Sequence, residues 1–258
     1  MDGANKKPEQ KPRPVTTAAG QAFMEALTEW LQDTRLMSEA VYRLSQDKAV
    51  KFDARSWPKK RTGKEALPFE IRTPQLNMRM TELLNNLWRT RFIFLESLWE
   101  EYLQELVIEL RHLNASIYEP FCERDFMTDI LREVLSNRLD SIESIKDEVA
   151  VRFAAGLTRQ SWTQQWKQLA RLEIGLADKD RELEWFPHLD AYFEIRNCIV
   201  HRRGRVSDRL NKIPHFYDAH DKGVVNVWPP HLDFYRHQFI KCLLHIEDKI
   251  RAKHRAAE

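Results

Sequence analysis

The sequence contains little glycine and carries almost no net charge. Seven glycines among 258 residues argue against P-loop domains, dinucleotide-binding domains and turn-rich β-sandwiches, because those folds use glycine in their tight turns. The 41 Lys and Arg residues nearly balance the 39 Asp and Glu residues, which leaves a net charge of +2. A hydrophobic fraction of 43% is typical of a globular protein with its own core. The composition therefore favours a mostly helical globular protein.

Further absences bear on the compartment. The three cysteines, Cys122, Cys198 and Cys242, are odd in number and far apart, which argues against a disulfide framework and a paired-cysteine zinc site. The chain has no apolar run of about 18 residues, so no transmembrane helix is predicted. The first residues lack the apolar segment of a secretory signal. We therefore expect a cytoplasmic protein with reduced thiols and no membrane attachment.

Two long amphipathic helices are predicted in the first half of the chain. Apolar residues recur at helical spacing from Gln21 to Leu44. A second helix is expected to begin at Thr73-Pro74, since Thr is a good N-cap and Pro fits the first helical position. This helix would run for about 40 residues, or about 60 Å, a length typical of a bundle spine or a dimer element. Its predicted apolar stripe comprises Leu76, Met80, Leu83, Leu87, Phe94, Leu98, Tyr102, Leu106, Leu110 and Leu113.

Shorter helices are predicted in the second half. Two or three lie between about Phe126 and Leu172, and there Trp162 and Trp166 are one turn apart, so both should face the core. The remaining predicted elements are a helix from Leu189 to about His201, a brief strand within 224–228 and a last helix from about His231 to Lys253. The fold class expected is an all-α antiparallel bundle with a long spine helix and an N-terminal helical extension.

Three regions follow from this pattern. Residues 1–18 are rich in Lys and Pro and are predicted to be a disordered tail. Residues 19–72 comprise the N-terminal helix and a basic connector from about Lys48 to Pro74, and residues 73–258 form the main helical domain. The connector is either a solvated linker or a phosphate-binding arm, since clustered Lys and Arg bind nucleic acid by releasing counterions.

One segment has a spacing that suggests chemistry. The chain holds three Arg–His pairs at similar spacing, Arg181–His188, Arg196–His201 and Arg209–His215, but the first and third enclose a proline, so neither fits an uninterrupted helix. On the remaining helix, Asn197 and His201 share one face. Arg196 lies about 140° from His201 around the axis. Two such helices facing each other across a two-fold axis could build a shared cleft.

Such a cleft could cleave RNA without a metal ion. The Arg196 guanidinium is a fixed cation whose fork of donors fits a phosphate, and His201 can act as a general acid or base. A base would deprotonate the 2′-OH, which attacks the adjacent phosphorus, while the arginine stabilises the charge on the phosphoryl oxygens. The product would carry a 2′,3′-cyclic phosphate. The spacing alone is equally compatible with an exposed Arg and His on an ordinary amphipathic helix.

The motif resembles one that defines a known superfamily. Arg196-Asn197-Cys-Ile-Val-His201, followed closely by Gly204, resembles the RNxxxH form of the HEPN motif. The segment 92–106 is similar to the first core helix of larger prokaryotic HEPN families, in which an acidic residue, here Glu100, precedes an aromatic residue and a leucine. The order of helices also agrees, and the resemblance covers roughly residues 73 to 258.

The resemblance implies an all-α homodimer, joined through the motif helix, with metal-independent endoribonuclease activity and no cofactor. It places Arg196 and His201 as the catalytic pair, Asn197 as their support and Glu100 as an acidic residue that contacts the arginine or assists the acid–base chemistry. Many members are toxins or effectors of toxin–antitoxin and antiphage systems, so an inhibitor or defence-system partner is expected. One toxin branch is neutralised at a Tyr two residues after the His. Here that position is Arg203, which argues against that mode of neutralisation.

Positive charge follows the motif directly. Arg202, Arg203, Arg205 and Arg209 are predicted to bind the RNA backbone, although an ordinary solvated loop would have the same composition.

Two other readings stay open from the residues alone. The first is a non-catalytic helical interaction or RNA-binding module within a larger complex. The second is a metal-dependent phosphoesterase that uses His215, Asp218, His220 and Asp221. The spacing of these four residues matches no closed zinc pattern, so loop polar residues are the favoured reading and no metal site is predicted.

Overall fold

The computed structural model describes most of the chain. The described residues are 17–46, 50–52, 69–71, 73–113, 128, 132–136, 141–172, 174–213, 220–221 and 223–257. The predicted disordered tail lies outside this set except for its last two residues. Most of the predicted basic connector lies outside it as well.

The described chain is mostly helical, as the composition predicted. Its long α-helices are α1 (Ala18–Gln46), α2 (Thr73–Leu113), α3 (Ile142–Thr158), α4 (Trp162–Arg171), α5 (Trp185–His201) and α6 (Pro229–Ala257), and residues 132–135 are helical as well. Two 3-10 helices, Asp178–Glu182 and Leu210–Lys212, lie in the connections. None of the described helices combines the length and the apolar character needed to cross a bilayer.

Two short antiparallel strand pairs accompany the helices. β1 (Val50–Phe52) pairs with β2 (Phe69–Ile71), so that Lys51 lies opposite Glu70. This pair falls within the predicted connector, where no strand was expected, because three-residue strands are too short to show a clear alternation. β3 (His220–Asp221) pairs with β4 (Val224–Val225), and β4 lies inside the segment 224–228 where a brief strand was predicted, whereas β3 precedes that segment.

The long helix was predicted well in extent, and its buried face was predicted correctly in the second half of the helix. α2 has 41 residues and begins at Thr73. However, Leu83 and Phe94 of the predicted stripe are 54% and 46% exposed. Leu98, Tyr102, Leu106 and Leu110 of that stripe are buried, as predicted. The buried face also includes Trp88, Phe92, Leu95, Trp99 and Leu103, which have helical spacing too, so periodicity alone could not define its full extent.

Contacts divide the chain into two compact units. Unit 1 comprises Met1–Met24, Glu100–Phe186 and Gln238–Glu258, and unit 2 comprises Glu25–Trp99 and Pro187–His237. Both units are therefore discontinuous in sequence. The division predicted at residue 73 concerns regions along the chain and stays a prediction.

Unit 1 is organised around an aromatic cluster. The ring centroids of Trp166 and Trp185 are 5.3 Å apart, and Trp162 lies 5.3 Å from Phe186. Trp162 and Trp166 are both fully buried, which confirms that they face the core together. The imidazole of His245 lies against this cluster, with its centroid 5.8 Å from that of Trp185. Aromatic contacts of this kind stabilise beyond the area they bury.

The start of α1 is held in unit 1 by two acidic side chains. The Glu109 carboxylate accepts the N–H groups of Ala18 and Ala19 at 3.1 and 3.0 Å. Buried Glu247 accepts the N–H and the hydroxyl of Thr17, the latter at 2.5 Å. The first turn of α1 has no acidic residue of its own. Carboxylates from other helices therefore satisfy the free N–H groups and the positive end of the helix dipole.

Unit 2 is built around Phe92. Its ring stacks on Tyr192 with centroids 4.4 Å apart and meets Tyr235 edge-on at 5.5 Å. The Tyr192 hydroxyl donates to the backbone carbonyl of Phe92 at 2.5 Å. Trp30 of α1 donates to the carbonyl of Arg91. These contacts fix α5 against the part of α2 that carries residues 88–96.

Candidate functional site

The motif lies at the end of α5. The helix begins at Trp185, four residues before the predicted start, because Pro187 in the first turn costs no intrahelical hydrogen bond. It ends at His201, as predicted. Arg196, Asn197 and His201 therefore all lie on regular helix, with Cys198 buried between them.

Arg196 is oriented by two side chains. Its guanidinium forms an ion pair with the carboxylate of Glu96 on α2. The contact is a charge pair rather than an aligned hydrogen bond, since the Arg196 Nε finds no acceptor in hydrogen-bond geometry. Its Nη1 also donates to Asn197 Oδ1 at 3.3 Å. The Arg196 side chain is 24% exposed, so part of the cation remains open to a ligand.

Glu96 is a site residue that the sequence reading did not name. The acidic residue of the motif was predicted to be Glu100, which lies one turn later on α2. Glu100 belongs to unit 1. A signal for Glu96 does exist in the sequence. It lies in the stripe formed by Phe92, Leu95 and Trp99, where a single acidic residue among buried apolar neighbours needs a partner.

His201 is exposed, and Asn197 is half-buried. Along α5, Asp190, Glu194, Asn197 and His201 follow one another at intervals of four, three and four residues, so they form one polar stripe. The first half of this stripe is occupied by Arg209. Its Nη2 lies 3.2 Å from Asp190 Oδ1, and its Nε lies 3.6 Å from Glu194 Oε2. The half that contains Asn197 and His201 remains accessible.

A strained turn follows His201. The Gly204 N–H donates to the carbonyl of Cys198 at 2.8 Å, which closes the end of α5. Arg203 and Gly204 both have positive φ, at 55° and 81°. Positive φ costs a non-glycine residue about 1–2 kcal/mol. Glycine fits better at 204 for a second reason, because an added Cβ would lie 3.4 Å from Arg89 Nη2.

Backbone bonds to a neighbouring hairpin hold this turn. Val225 N–H donates to the Gly204 carbonyl at 2.7 Å, and Val206 N–H donates to the Gly223 carbonyl at 2.9 Å. Arg89 Nη2 then donates to the Val225 carbonyl at 2.7 Å. Nothing in the sequence pattern marks Arg89 for this role, because its partner is a backbone carbonyl 136 residues away.

The four arginines predicted to bind RNA fall into two groups. Arg202, Arg203 and Arg205 are exposed, and no ion pair to a described carboxylate is found for them. Arg209 is instead paired with Asp190 and Glu194, so much of its charge is compensated within the chain. Arg202, Arg203 and Arg205 are therefore the stronger candidates for a phosphate contact.

The side chains of the alternative metal hypothesis lie outside the part of the chain that the structure describes. His215 and Asp218 lie outside the described residues, and the side chains of His220 and Asp221 are not described either. Among the side chains that are described, no three His, Cys, Asp or Glu residues gather closely enough to hold an ion.

Comparisons with known proteins give no family. No protein-family model, curated protein or solved structure matches this chain.

Proposed function

We propose that this protein is a metal-independent endoribonuclease of the HEPN type. The observation that carries the proposal is that the motif helix presents Arg196, oriented by Glu96 and Asn197, together with exposed His201 and a turn of three exposed arginines. An oriented guanidinium can neutralise a phosphoryl oxygen, and an exposed imidazole can exchange protons with a substrate. The neighbouring arginines would hold the RNA backbone.

The proposed reaction is cleavage by the 2′-OH. One group removes the 2′-OH proton, the oxygen attacks the adjacent phosphorus, the bond to the 5′-oxygen breaks, and an acid protonates that leaving oxygen. His201 would perform one of the two proton transfers, and Arg196 would stabilise the charge that develops on the phosphoryl oxygens. DNA lacks the attacking hydroxyl and would not be cut.

A shared cleft between two copies fits the helix geometry. Along α5, Arg196 and His201 are separated by about 7.5 Å in rise and about 140° in angle. One helix therefore does not direct both side chains to a single phosphate. We infer that a second copy supplies the complementary residue across a two-fold axis. Mixing inactive Arg196→Ala and His201→Ala proteins should then restore part of the cleavage.

The decisive experiment is RNA cleavage in EDTA, with the ends of the products identified. We expect the parent protein to produce 2′,3′-cyclic phosphate ends. His201→Ala should reduce the rate by about 10²–10⁴-fold, as is typical for loss of an acid–base group. His237→Ala, which removes an exposed histidine from α6 in the same unit, is the matched control and should cleave normally. Equal cleavage by the parent and His201→Ala would remove the proposal.

In cells, such a nuclease would act as a toxin or effector in toxin–antitoxin or antiphage defence, restrained by an inhibitor or a trigger. Restrained growth on expression of the parent, but not of His201→Ala, would support that role.

The alternative is a non-catalytic interaction or RNA-binding module. It is favoured by the compensation of Arg196 by Glu96, which is also what a purely structural arginine would show. RNA binding without cleavage under all conditions would favour this alternative.

A further inference from the structure

Trp228 is an exposed tryptophan on a fixed backbone. It is 43% exposed, whereas Trp30, Trp88 and Trp99 of the same unit are buried. The backbone N–H of Trp228 donates to Nδ1 of His231 at 2.9 Å, and the backbone carbonyl of Trp228 accepts the backbone N–H of His231 at 2.9 Å. Two prolines follow it directly as the first residues of α6. The backbone that carries this indole is therefore already fixed and loses little further freedom when a ligand stacks on the ring.

Trp228 lies close to the arginine turn. Val225 is hydrogen-bonded to Gly204, and Val224 pairs with Arg205. Trp228 is three residues beyond Val225, so their Cα atoms are at most about 11 Å apart. Burial alternates from Val224 to Trp228 as in an extended strand. Val224 and Trp228 therefore share the outward side, and Val224 is the residue that pairs with Arg205.

We propose that Trp228 is a base-stacking platform for single-stranded RNA bound at the arginine turn, 202–205. This inference rests on the proposed function and specifies its substrate class. Through Val224, the Cα atoms of Arg205 and Trp228 are at most about 20 Å apart, and a stacked strand advances about 3.4 Å for each phosphate, so a phosphate at Arg205 and a base on Trp228 are separated by about six nucleotides or fewer. Arginines beside an exposed aromatic ring are the pattern with which proteins hold unpaired strands.

The substrate class follows from the geometry of stacking. A base inside a duplex has both faces covered by its neighbours and cannot lie on the indole. The indole itself has no charge and would gain nothing from phosphate alone. The surface should therefore distinguish unpaired nucleotides from duplex RNA, while the arginines contact the backbone of either.

The test measures binding without cleavage. A fluorescent single-stranded oligonucleotide with 2′-O-methyl groups lacks the attacking hydroxyl, so its anisotropy reports affinity alone. Trp228→Ala should weaken binding about tenfold, as is typical for loss of one stacked base, and Trp228→Phe should recover most of it. Tyr42→Ala, which removes another exposed aromatic side chain of unit 2, is the matched control and should bind as the parent does. Unchanged melting temperatures would show that the variants fold.

A second oligonucleotide isolates the stacking. On an abasic strand with the same phosphates, the parent and Trp228→Ala should bind equally, whereas Arg205→Ala should weaken binding to both strands. Equal binding of the parent and Trp228→Ala to the ordinary strand, or the same loss on the abasic strand, would overturn the inference. The outcome is separate from that of the cleavage assay. If the protein cleaves RNA but Trp228→Ala does not weaken binding, only the stacking role of Trp228 is refuted. If the protein binds RNA through Trp228 but never cleaves it, only the proposed nuclease activity is refuted.

Discussion

Units 1 and 2 contain the same kinds of polar side chain in different surroundings. In unit 1, the buried carboxylate of Asp180 accepts the Ala177 N–H at 2.7 Å and lies 3.3 Å from His245 Nε2 and 3.6 Å from Lys249 Nζ. In unit 2, by contrast, His201 is exposed. The amino-acid types alone therefore do not show which of these histidines is paired inside the fold and which is accessible to a ligand.

The difference lies in the partners that the fold supplies. His245 packs against Trp166 and Trp185 and its Nε2 lies 3.3 Å from Asp180, so its ring and its nearest carboxylate partner are both within unit 1. His201 ends a helix at the surface, and the next turn carries exposed arginines. Polar groups with internal partners contribute to stability, whereas accessible ones are available for a ligand. This contrast makes unit 2 the better candidate for function.

The largest expected effect concerns the aromatic core of unit 1. Trp166→Ala should lower the free energy of unfolding by about 3–5 kcal/mol, because it removes a fully buried indole and leaves a cavity. Trp228→Ala in unit 2 should cost less, about 1–2 kcal/mol, since 43% of that residue is already exposed. Urea unfolding measures both. A large loss for Trp228→Ala would make it a packing residue and weaken the contrast between the units.

The next effect tests the pairing of Arg196. Glu96→Gln should cost about 1–3 kcal/mol, because the buried end of the guanidinium loses its charged partner. Glu100→Gln is the matched control, one turn away on α2, and its cost should be smaller. The loss from Glu96→Gln should shrink when Arg196 is already Met, by a coupling energy of about 0.5–3 kcal/mol. Additive losses would show that the ion pair contributes nothing to stability.

A smaller effect compares two glycines of the turn region. Gly204 and Gly223 both have positive φ, at 81° and 77°, so alanine should cost about 1–2 kcal/mol at either position. Only Gly204 faces Arg89, whereas an added Cβ at Gly223 would meet nothing within 4 Å. Gly204→Ala should therefore be the more destabilising variant in thermal unfolding. The excess should disappear in an Arg89→Ala background, and its persistence there would contradict the assigned crowding.

The smallest expected effect is a loss of stability in mild acid. Burial lowers the pKa of His245, which faces Asp180 and Lys249, and burial also lowers the pKa of His231. The unfolded chain therefore binds protons more readily at these two sites, near the usual pKa of about 6.5. Their contribution should be constant above about pH 7.5 and decline as the pH falls through the folded pKa values.

Melting temperatures between pH 7.5 and 5 measure this decline. The double variant His231→Gln, His245→Gln should show a shallower decline than the parent. His231 Nδ1 can accept a hydrogen bond from the Trp228 backbone N–H only while Nδ1 is unprotonated. We therefore expect the segment around Trp228 to become mobile before the rest of the unit as the pH falls. An identical decline in the double variant would assign the acid sensitivity to other groups.

Local pattern predicted the elements well. The apolar repeat gave α1, the extent of α2 and the end of α5, because helical periodicity and proline position are encoded within a few neighbouring residues. The same repeat placed Trp162 and Trp166 in the core. It placed Leu98, Tyr102, Leu106 and Leu110 correctly in the core but also included exposed Leu83 and Phe94, because apolar residues occur on more than one face of α2.

The residues of the candidate site that lie on one helix were predicted, because their spacing is local in the sequence. Arg196, Asn197 and His201 are close in sequence, so a spacing argument could find them. Glu96 and Arg89 act on groups a hundred or more residues away, and Arg209 pairs with Asp190 and Glu194, which precede it on α5. No local spacing contains those pairings.

The sequence by itself determined a mostly helical chain, the helix that carries the motif and the residues that give this helix its chemical character. Only the tertiary structure decided which carboxylate pairs with Arg196, which arginines remain exposed after Arg209 is paired, and that the strand preceding Trp228 bonds to the arginine turn while most of its unit's tryptophans are buried. The physical reason is that helix periodicity depends on neighbours within a turn or two. Burial and ion pairing instead depend on segments that meet only when the chain has folded.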